Sequence, residues 1–228
     1  MTDVFDALKG ALDRVKPVPT GKPSLQVAFD PAAFFDVMRR GDLLGPTLDK
    51  GEVDGCERIL EAMAGLPMSW CAYALATAYH ETAHTMQPIK ELGGPKYLHR
   101  MYDINGSRPA LARRYGNTQP GDGIKFAGRG YVQLTWRVNY TKAAAKLGVD
   151  LVGNPDLALD AGVAARIMRE GMVDGWFTGK AFRHYLPQPV GALSQFTAAR
   201  RIINGTDKAE QIGRYALAFQ KALQAGGW

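Results

Sequence analysis

Two glutamates, ten positions apart, are the residues of this sequence best suited to acid–base chemistry. Glu81 follows an uncharged run from Trp70 to Tyr79, and Glu91 comes shortly after Pro88. The aromatic and aliphatic residues of that run fall on every side of a 3.6-residue helix, which predicts a helix buried all round. Glu81 would then sit where the helix leaves the core. Partial burial there favours the protonated carboxyl that a general acid needs.

Pro88 predicts that the two carboxylates stand on different structural elements. A helix is unlikely to continue through the residue before a proline, so Glu91 is expected on a following loop. Carboxylates on separate elements can face each other across a cleft. Glycoside hydrolysis uses that arrangement, with a protonated acid on one side of the bond and a base or nucleophile on the other.

The same stretch also contains a zinc-site motif. Residues 80–84 read HETAH, an HExxH string that on a helix would place two imidazoles one turn apart and leave Glu81 to activate water. The longer HExxHxxGxxH pattern is not met, because Gln87 and Lys90 stand where glycine and histidine would be needed. His99 and His184 remain conceivable third ligands. The local sequence leaves both interpretations open, although we expect neither a metal nor a cofactor.

Composition places the chain among ordinary globular proteins with a basic surface. It has 228 residues, of which 28 are Lys or Arg and 22 are Asp or Glu, a formal net charge of +6. Such a surface favours an anionic partner, but the basic residues are scattered and match no nucleic-acid-binding motif, so nucleic acid is not expected. No run is apolar and long enough for stable membrane insertion. Cys56 and Cys71 lie in apolar helical patterns and are expected to be buried free thiols.

Helical periodicity and capping residues predict one mainly α domain over residues 24–228, after a short amphipathic helix and linker at residues 1–23. Between residues 86 and 130 the periodicity dissolves, and at most one short helix is expected, at residues 109–115. Apolar side chains in that stretch predict an ordered small lobe with short strands in the middle of the chain. Other helices are predicted at residues 31–40, 53–64, 69–81, 139–147, 161–177, 193–203 and 208–223.

A second dense patch, residues 126–140, reads FAGRGYVQLTWRVNY. Gln133, Thr135 and Asn139 are interspersed with apolar residues, which predicts a half-buried strand that presents polar groups to one side. Amides and hydroxyls with the rings of Tyr131 and Trp136 nearby suit a sugar-binding cleft. A turn followed by an edge strand is the alternative, and Trp136 could equally belong to the core.

The combined motifs resemble glycoside hydrolase family 19, which comprises the plant-type chitinases and related phage endolysins. The likeness rests on HET at residues 80–82, a second glutamate at Glu91, GRGYVQLT at residues 128–135, Asn139-Tyr140, and ING at residues 203–205. It covers roughly residues 55–220. The GRGxxQLT run is specific, whereas HET and ING alone would be weak.

The resemblance implies a lysozyme-like helical fold with a cleft between two lobes and inversion at the anomeric carbon. Glu81 would be the general acid, Glu91 the general base, and Thr135 would help to hold the attacking water. For an inverting enzyme the two carboxyl groups are expected about 6.5–9.5 Å apart. Gln133, Asn139 and Asn204 match family positions that contact substrate or support the cleft. Tyr131 and Trp136 are added as substrate contacts on residue type alone.

Departures from the family pattern favour peptidoglycan over chitin. The loop between the two glutamates is short, as in the phage endolysin branch, Val138 stands where chitinases usually have a tyrosine, and Gln211 where many have an arginine. The expected protein is a monomeric endolysin that acts on peptidoglycan glycan strands. With no recognisable secretory signal, it would be made in the host cytoplasm and reach the cell wall in the periplasm after release. A chitinase, a zinc metalloprotease and an inactive wall-binding protein are the alternatives.

Overall fold

The computed structural model describes residues 29–41 and 43–228, so the amphipathic helix and linker predicted at residues 1–23 lie outside the described residues. The described chain is mainly α, as the sequence predicts. Its α-helices are α1 (Pro31–Arg40), α2 (Lys50–Met63), α3 (Met68–Glu81), α4 (Gly94–Tyr102), α5 (Pro109–Arg114), α6 (Asp122–Lys125), α7 (Arg137–Leu147), α8 (Ala161–Asp174), α9 (Leu193–Ala199) and α10 (Ala209–Ala225). Short 3-10 turns lie at Pro155–Leu159, Phe182–His184 and Arg200–Ile202.

Strand structure in the described residues is confined to one two-stranded antiparallel ribbon. Its strands are β1 (Ile89–Lys90) and β2 (Arg129–Gly130), with Ile89 opposite Gly130 and Lys90 opposite Arg129. The ribbon joins the segment that carries Glu91 to the segment that begins the second sequence patch. These two distant parts of the chain are therefore held side by side.

Helix α3 is the centre of the larger body. Every residue from Cys71 to Tyr79 is at most 6% exposed, because aromatic and small apolar side chains surround the whole helix. Helices α2 and α10 pack against it, and α10 in turn packs against α1 and α9. At its N-terminal end, the Ser69 hydroxyl donates to the Gln188 carbonyl and the Trp70 indole donates to the Leu186 carbonyl. The helix is thus fixed at its start, and its last residue, Glu81, has a fixed position.

Residues 94–125, here called the small lobe, form a second body. Helix α4 packs on α5 and α6, and the hydrophobic core of the larger body takes none of its residues from this fully described range. Buried polar groups hold the lobe together. Asp103, 1% exposed, accepts hydrogen bonds from the amides of Gly121 and Gly123, and the Asn117 amide donates to the Tyr102 carbonyl.

The expectation of at most one short helix between residues 86 and 130 is wrong, because α4 and α6 accompany α5. The glycines that suggested irregular structure instead serve as helix starts. Gly93 and Gly121 precede α4 and α6 with φ of +119° and +90°, a conformation that costs glycine little. The predicted order and short strands of this region are confirmed.

The half-buried strand predicted within residues 126–140 is also wrong beyond Arg129–Gly130. Gly130, Gln133 and Trp136 have φ of +86°, +52° and +76°, and positive φ is incompatible with an extended strand. The chain turns back so that Leu134 and Arg129 exchange two backbone hydrogen bonds, and α7 begins at Arg137. The polar side chains are therefore displayed by a tight turn and the first turn of a helix.

Candidate active site

Glu81 is the last residue of α3, and local backbone geometry explains why the helix ends there. The Thr82 hydroxyl donates to the Ala78 carbonyl, and Ala83 and His84 then adopt positive φ of +51° and +74°. The half-buried Glu81 side chain lines an open cleft of about 270 Å³. The other residues that line it are Val132, Gln133, Thr135, Asn139, Phe177, Ile203 and Asn204.

An arginine from the C-terminal part of the chain contacts Glu81. Arg200 Nη1 lies 2.6 Å from Glu81 Oε1, and Arg200 is only 2% exposed. Its Nε donates to the Asp207 carbonyl at 3.1 Å, which fixes the plane of the guanidinium. Glu81 therefore lies against a fixed, buried cation.

Glu91 is held from two directions. The Tyr102 hydroxyl, at the end of α4 in the small lobe, donates to Glu91 Oε1 at 2.6 Å. The Gly128 amide donates to Oε2 at 3.0 Å, and the Glu91 amide donates back to the Gly128 carbonyl at 2.8 Å. Burial, followed by the Glu91 carboxylate, raises the pKa of Tyr102 above its ordinary value, so its hydroxyl stays a proton donor. Both Glu91 oxygens therefore accept hydrogen bonds from fixed donors.

The segment that holds Glu91 is itself anchored by a buried arginine. Arg129, 4% exposed, donates to the carbonyls of Lys125 and Ala127 and to the Tyr140 hydroxyl, and pairs with Asp156. Tyr140 donates in turn to the Ala127 carbonyl. Gly128 thus has a fixed amide. A Cβ at this position would lie 2.7 Å from Gln133 Oε1 and 3.0 Å from Glu91 Oε2, so glycine is needed for the close approach.

A row of polar side chains lies along the cleft. The Gln133 amide nitrogen donates to the Ile89 and Gly130 carbonyls, the Thr135 hydroxyl donates to the Gln133 carbonyl, and the Asn139 amide donates to the Thr135 carbonyl. Gln133, Thr135, Asn139 and Asn204 line the same cleft as Glu81. Gln133 Oε1 and Glu91 Oε2 both lie beside Gly128. The Gln133 side chain therefore connects the cleft of Glu81 with the surroundings of the Glu91 carboxylate.

Comparisons with known proteins agree with this geometry. The family model for chitinase class I, glycoside hydrolase family 19, matches residues 72–180. The match contains Glu81, Glu91 and the whole polar turn. This part of the chain is similar to glycoside hydrolase family 19.

Individual relatives are more distant. The chain is 30% identical over 105 residues to endochitinase B of Zea mays, which is 46% of this chain and 35% of the relative. It is 51% identical over 35 residues, 15% of this chain and 11% of the relative, to inactive chitinase-like protein 1 of Hevea brasiliensis. The matches thus span about a third or less of these curated relatives.

The crystal structure of chitinase C from Streptomyces griseus has a similar fold. The TM-score is 0.56 at 22% identity, and the likeness covers 86% of this chain and 76% of that one. This similarity concerns the fold alone. It supports the mainly α, lysozyme-like architecture predicted from the sequence.

Burial argues against one predicted substrate contact, that of Tyr131. Tyr131 is 0% exposed and belongs to the hydrophobic core, so its ring cannot cover a sugar. Trp136 is partly exposed, stacks on Tyr115 with ring centroids 5.2 Å apart, and meets the Tyr102 ring edge-on at 5.0 Å. It is absent from the residues that line the Glu81 cleft. Trp136 therefore belongs to the Tyr102 and Glu91 side of the domain.

The zinc interpretation of residues 80–84 does not fit the backbone. It needs both histidines on one helix face, but α3 ends at Glu81 and His84 lies beyond it with φ of +74°. His84 stacks on the Tyr79 ring at 4.1 Å. Burial lowers the pKa of His80 below its ordinary value. Within residues 29–41 and 43–228, no group of three or more His, Cys, Asp or Glu could hold a metal ion.

Sequence reasoning missed two residues that contact the glutamates. Arg200 has no predicted role in the site, yet it is buried against Glu81. The signal that could have identified it is an arginine close to the apolar residues Ala199 and Ile202 in a predicted helix. Tyr102 gave no comparable signal, because its helix α4 was itself not predicted.

Other sequence predictions are settled by the described structure. Cys56 and Cys71 are buried free thiols, as predicted. Among the described helices, none is long and apolar enough to cross a membrane.

Proposed function

We propose that this protein is a glycoside hydrolase that cleaves the glycan strands of bacterial peptidoglycan with inversion. One observation carries the proposal. Glu81 ends a buried helix in a polar cleft, and Glu91 is held by the small lobe beside Gln133, which lines the same cleft. A carboxylate that lines the cleft and a second carboxylate beside Gln133, which lines the same cleft, suit the acid and base of an inverting glycosidase.

The chemistry follows from the different surroundings of the two carboxyl groups. Glu81, half-buried, donates a proton to the glycosidic oxygen as the bond from that oxygen to the anomeric carbon breaks. Glu91, with hydrogen bonds to both oxygens, takes a proton from a water that attacks the anomeric carbon from the opposite face. The products are a sugar with inverted configuration and a free hydroxyl on the leaving strand. Exchange of both protons with solvent restores the starting state.

Neighbouring groups support each step. Arg200 stabilises the Glu81 carboxylate that forms when the proton leaves, since its guanidinium already contacts Oε1. Thr135 and Gln133 line the cleft with Glu81 and would help to hold the attacking water, and the amides of Asn139 and Asn204 can bond sugar hydroxyls. Preorganised donors of this kind favour the transition state because they need no rearrangement during the reaction.

Peptidoglycan is the proposed substrate because the chain is basic and the wall polymer carries carboxylates. The net charge of +6 favours an anionic polymer over a neutral one. Val138, which stands where chitinases usually have an aromatic residue, is 47% exposed and offers no ring to a sugar. In the same proposal the protein is an endolysin that reaches the wall after release from the cytoplasm.

Chitin hydrolysis is the second candidate, because endochitinase B is among the relatives. Release of soluble fragments from dye-labelled sacculi and from colloidal chitin, with wild type and Glu81→Gln, distinguishes the two. We expect sacculi to be cleaved and the variant to be inactive. Activity on chitin alone would establish the second candidate, and chelator-sensitive activity with stoichiometric zinc would overturn both.

A further inference from the structure

The small lobe carries most of the net charge of the chain. Residues 94–125 contain six Lys or Arg residues and two Asp residues, a net charge of +4 out of the +6 of all 228 residues. The six cations are Lys96, Arg100, Arg108, Arg113, Arg114 and Lys125. All but the half-buried Arg108 are exposed.

Both acids of the small lobe are withdrawn from its surface. Asp103 is 1% exposed and accepts the backbone amides of Asn105, Gly121 and Gly123. Asp122 is 3% exposed and pairs with Arg137. The surface of the lobe therefore presents cations without carboxylates.

Elsewhere in the described residues, seven of the fourteen exposed Lys and Arg residues form ion pairs. Arg39 and Arg40 at the end of α1 share Asp36, Lys50 pairs with Asp54, and Arg214 pairs with Glu210. None of the six cations of the small lobe forms an ion pair with any residue of 29–41 or 43–228. Unpaired like charges in so short a segment repel one another. An anionic partner removes that repulsion.

The cationic lobe adjoins the Glu91 side of the candidate active site. Arg108 places its guanidinium 5.6 Å from the centre of the Tyr102 ring and donates to the Met101 carbonyl. The Tyr102 hydroxyl donates to Glu91. A polymer strand in the cleft would thus pass beside the lobe.

We infer that the small lobe is an electrostatic docking surface for the carboxylates of peptidoglycan strands. The identity of the polymer rests on the proposed function, whereas the polarity of the surface does not. Exposed arginines hold the strand by charge and hydrogen bonds while the cleft selects the bond to be cut. Apart from Glu81, the polar residues that line the cleft are uncharged, so this surface would supply the preference for an acidic polymer that the proposed function requires.

Two matched arginine pairs test this surface. Arg113→Gln/Arg114→Gln removes two exposed charges at the end of α5, and Arg39→Gln/Arg40→Gln removes two at the end of α1. Both variants have the same net charge and alter the same position in a helix. Each is made in full-length protein with Glu81→Gln, so that binding is measured without cleavage, and thermal melting checks the fold.

The measurement is cosedimentation with purified peptidoglycan sacculi, native or with their carboxyl groups converted to amides. Since each exposed ion pair contributes about 0.2–1 kcal/mol, loss of two should weaken binding of the α5 variant to native sacculi about 2- to 30-fold at low salt. The α1 variant should change affinity less than about 2-fold. The difference should vanish at about 1 M salt, where the screening length is about 3 Å, and on amidated sacculi.

Equal losses in the two variants, or undiminished binding of amidated sacculi, would overturn the docking surface. Tighter binding to a DNA duplex than to native sacculi would do so as well. If binding follows the prediction but the wild type cleaves no peptidoglycan, the docking surface stands and the proposed catalytic function fails. If the α5 change, made in protein that keeps Glu81, and added salt both leave cleavage of sacculi unchanged, the proposed catalytic function stands and the docking surface fails.

Discussion

Replacing Glu81 with glutamine separates the chemical role of this residue from its structural one. Glutamine has nearly the same shape and keeps a carbonyl oxygen that can accept from Arg200 Nη1, but it cannot donate an acidic proton. The ion pair between Glu81 and the 2%-exposed Arg200 becomes a hydrogen bond from a charged donor to a neutral acceptor. Activity and stability should therefore respond very differently.

The magnitudes follow from the contacts. Losing a general acid costs about 10²- to 10⁴-fold in rate. Removing one partner of a buried ion pair costs about 3–5 kcal/mol, but the retained hydrogen bond to a charged group returns about 1.5–3 kcal/mol. The variant should thus be less stable by about 1–3 kcal/mol, which lowers the melting temperature by roughly 2–12 °C in a domain of this size.

The assay combines initial rates of sacculus hydrolysis with thermal and urea unfolding of the same samples. Glu61→Gln is the matched control, because Glu61 forms an exposed ion pair with Arg58 and its side chain is 72% exposed. That variant should keep its rate and lose less than about 1 kcal/mol. A Glu81→Gln protein that folds normally and retains more than about a tenth of wild-type activity would refute the general-acid assignment.

Four further substitutions probe the surroundings of the glutamates. Glu91→Gln should lower kcat at least about 100-fold with little change in melting temperature, and retention of most activity would show that the base is misassigned. Tyr102→Phe removes a hydrogen bond to Glu91 and should lower kcat about 10-fold while KM stays within about 2-fold; an unchanged kcat would exclude a positioning role. Gly128→Ala adds a Cβ 2.7 Å from Gln133 Oε1 and 3.0 Å from Glu91 Oε2. It should lower activity more than about 10-fold and the free energy of unfolding by about 1–3 kcal/mol. Normal kinetics would contradict the close approach of both side chains to Gly128. Tyr131→Phe removes a buried hydroxyl that has no hydrogen-bond partner among the described residues. Activity should therefore be unchanged and the melting temperature equal or higher. A raised KM would instead indicate that Tyr131 contacts the sugar.

The helices that carry strong local signals could be predicted from sequence. Asp30 and Pro31 mark the start of α1, and the structure shows the Asp30 side chain accepting from the amides of Ala32 and Ala33. The burial of α3 followed from its uncharged, aromatic run. In both cases, residues near in sequence determine the outcome, so periodicity and capping rules suffice.

The small lobe could not be predicted because its order depends on distant partners. Asp103 is satisfied by amides about twenty residues later in the chain, and Arg137 supplies the partner of Asp122. Glycines before α4 and α6 resemble breaks when only local sequence is read. Arg200 was missed for the same reason, since Glu81 lies 119 positions before it.

The anomeric configuration of the first product tests the central claim most directly. Proton NMR spectra recorded in the first minutes of sacculus hydrolysis distinguish newly formed α and β reducing ends before they interconvert. Because the strands of peptidoglycan are β-linked, an inverting mechanism through Glu81 and Glu91 predicts that α ends appear first. Initial release of β ends, or no release of reducing ends, would contradict the account.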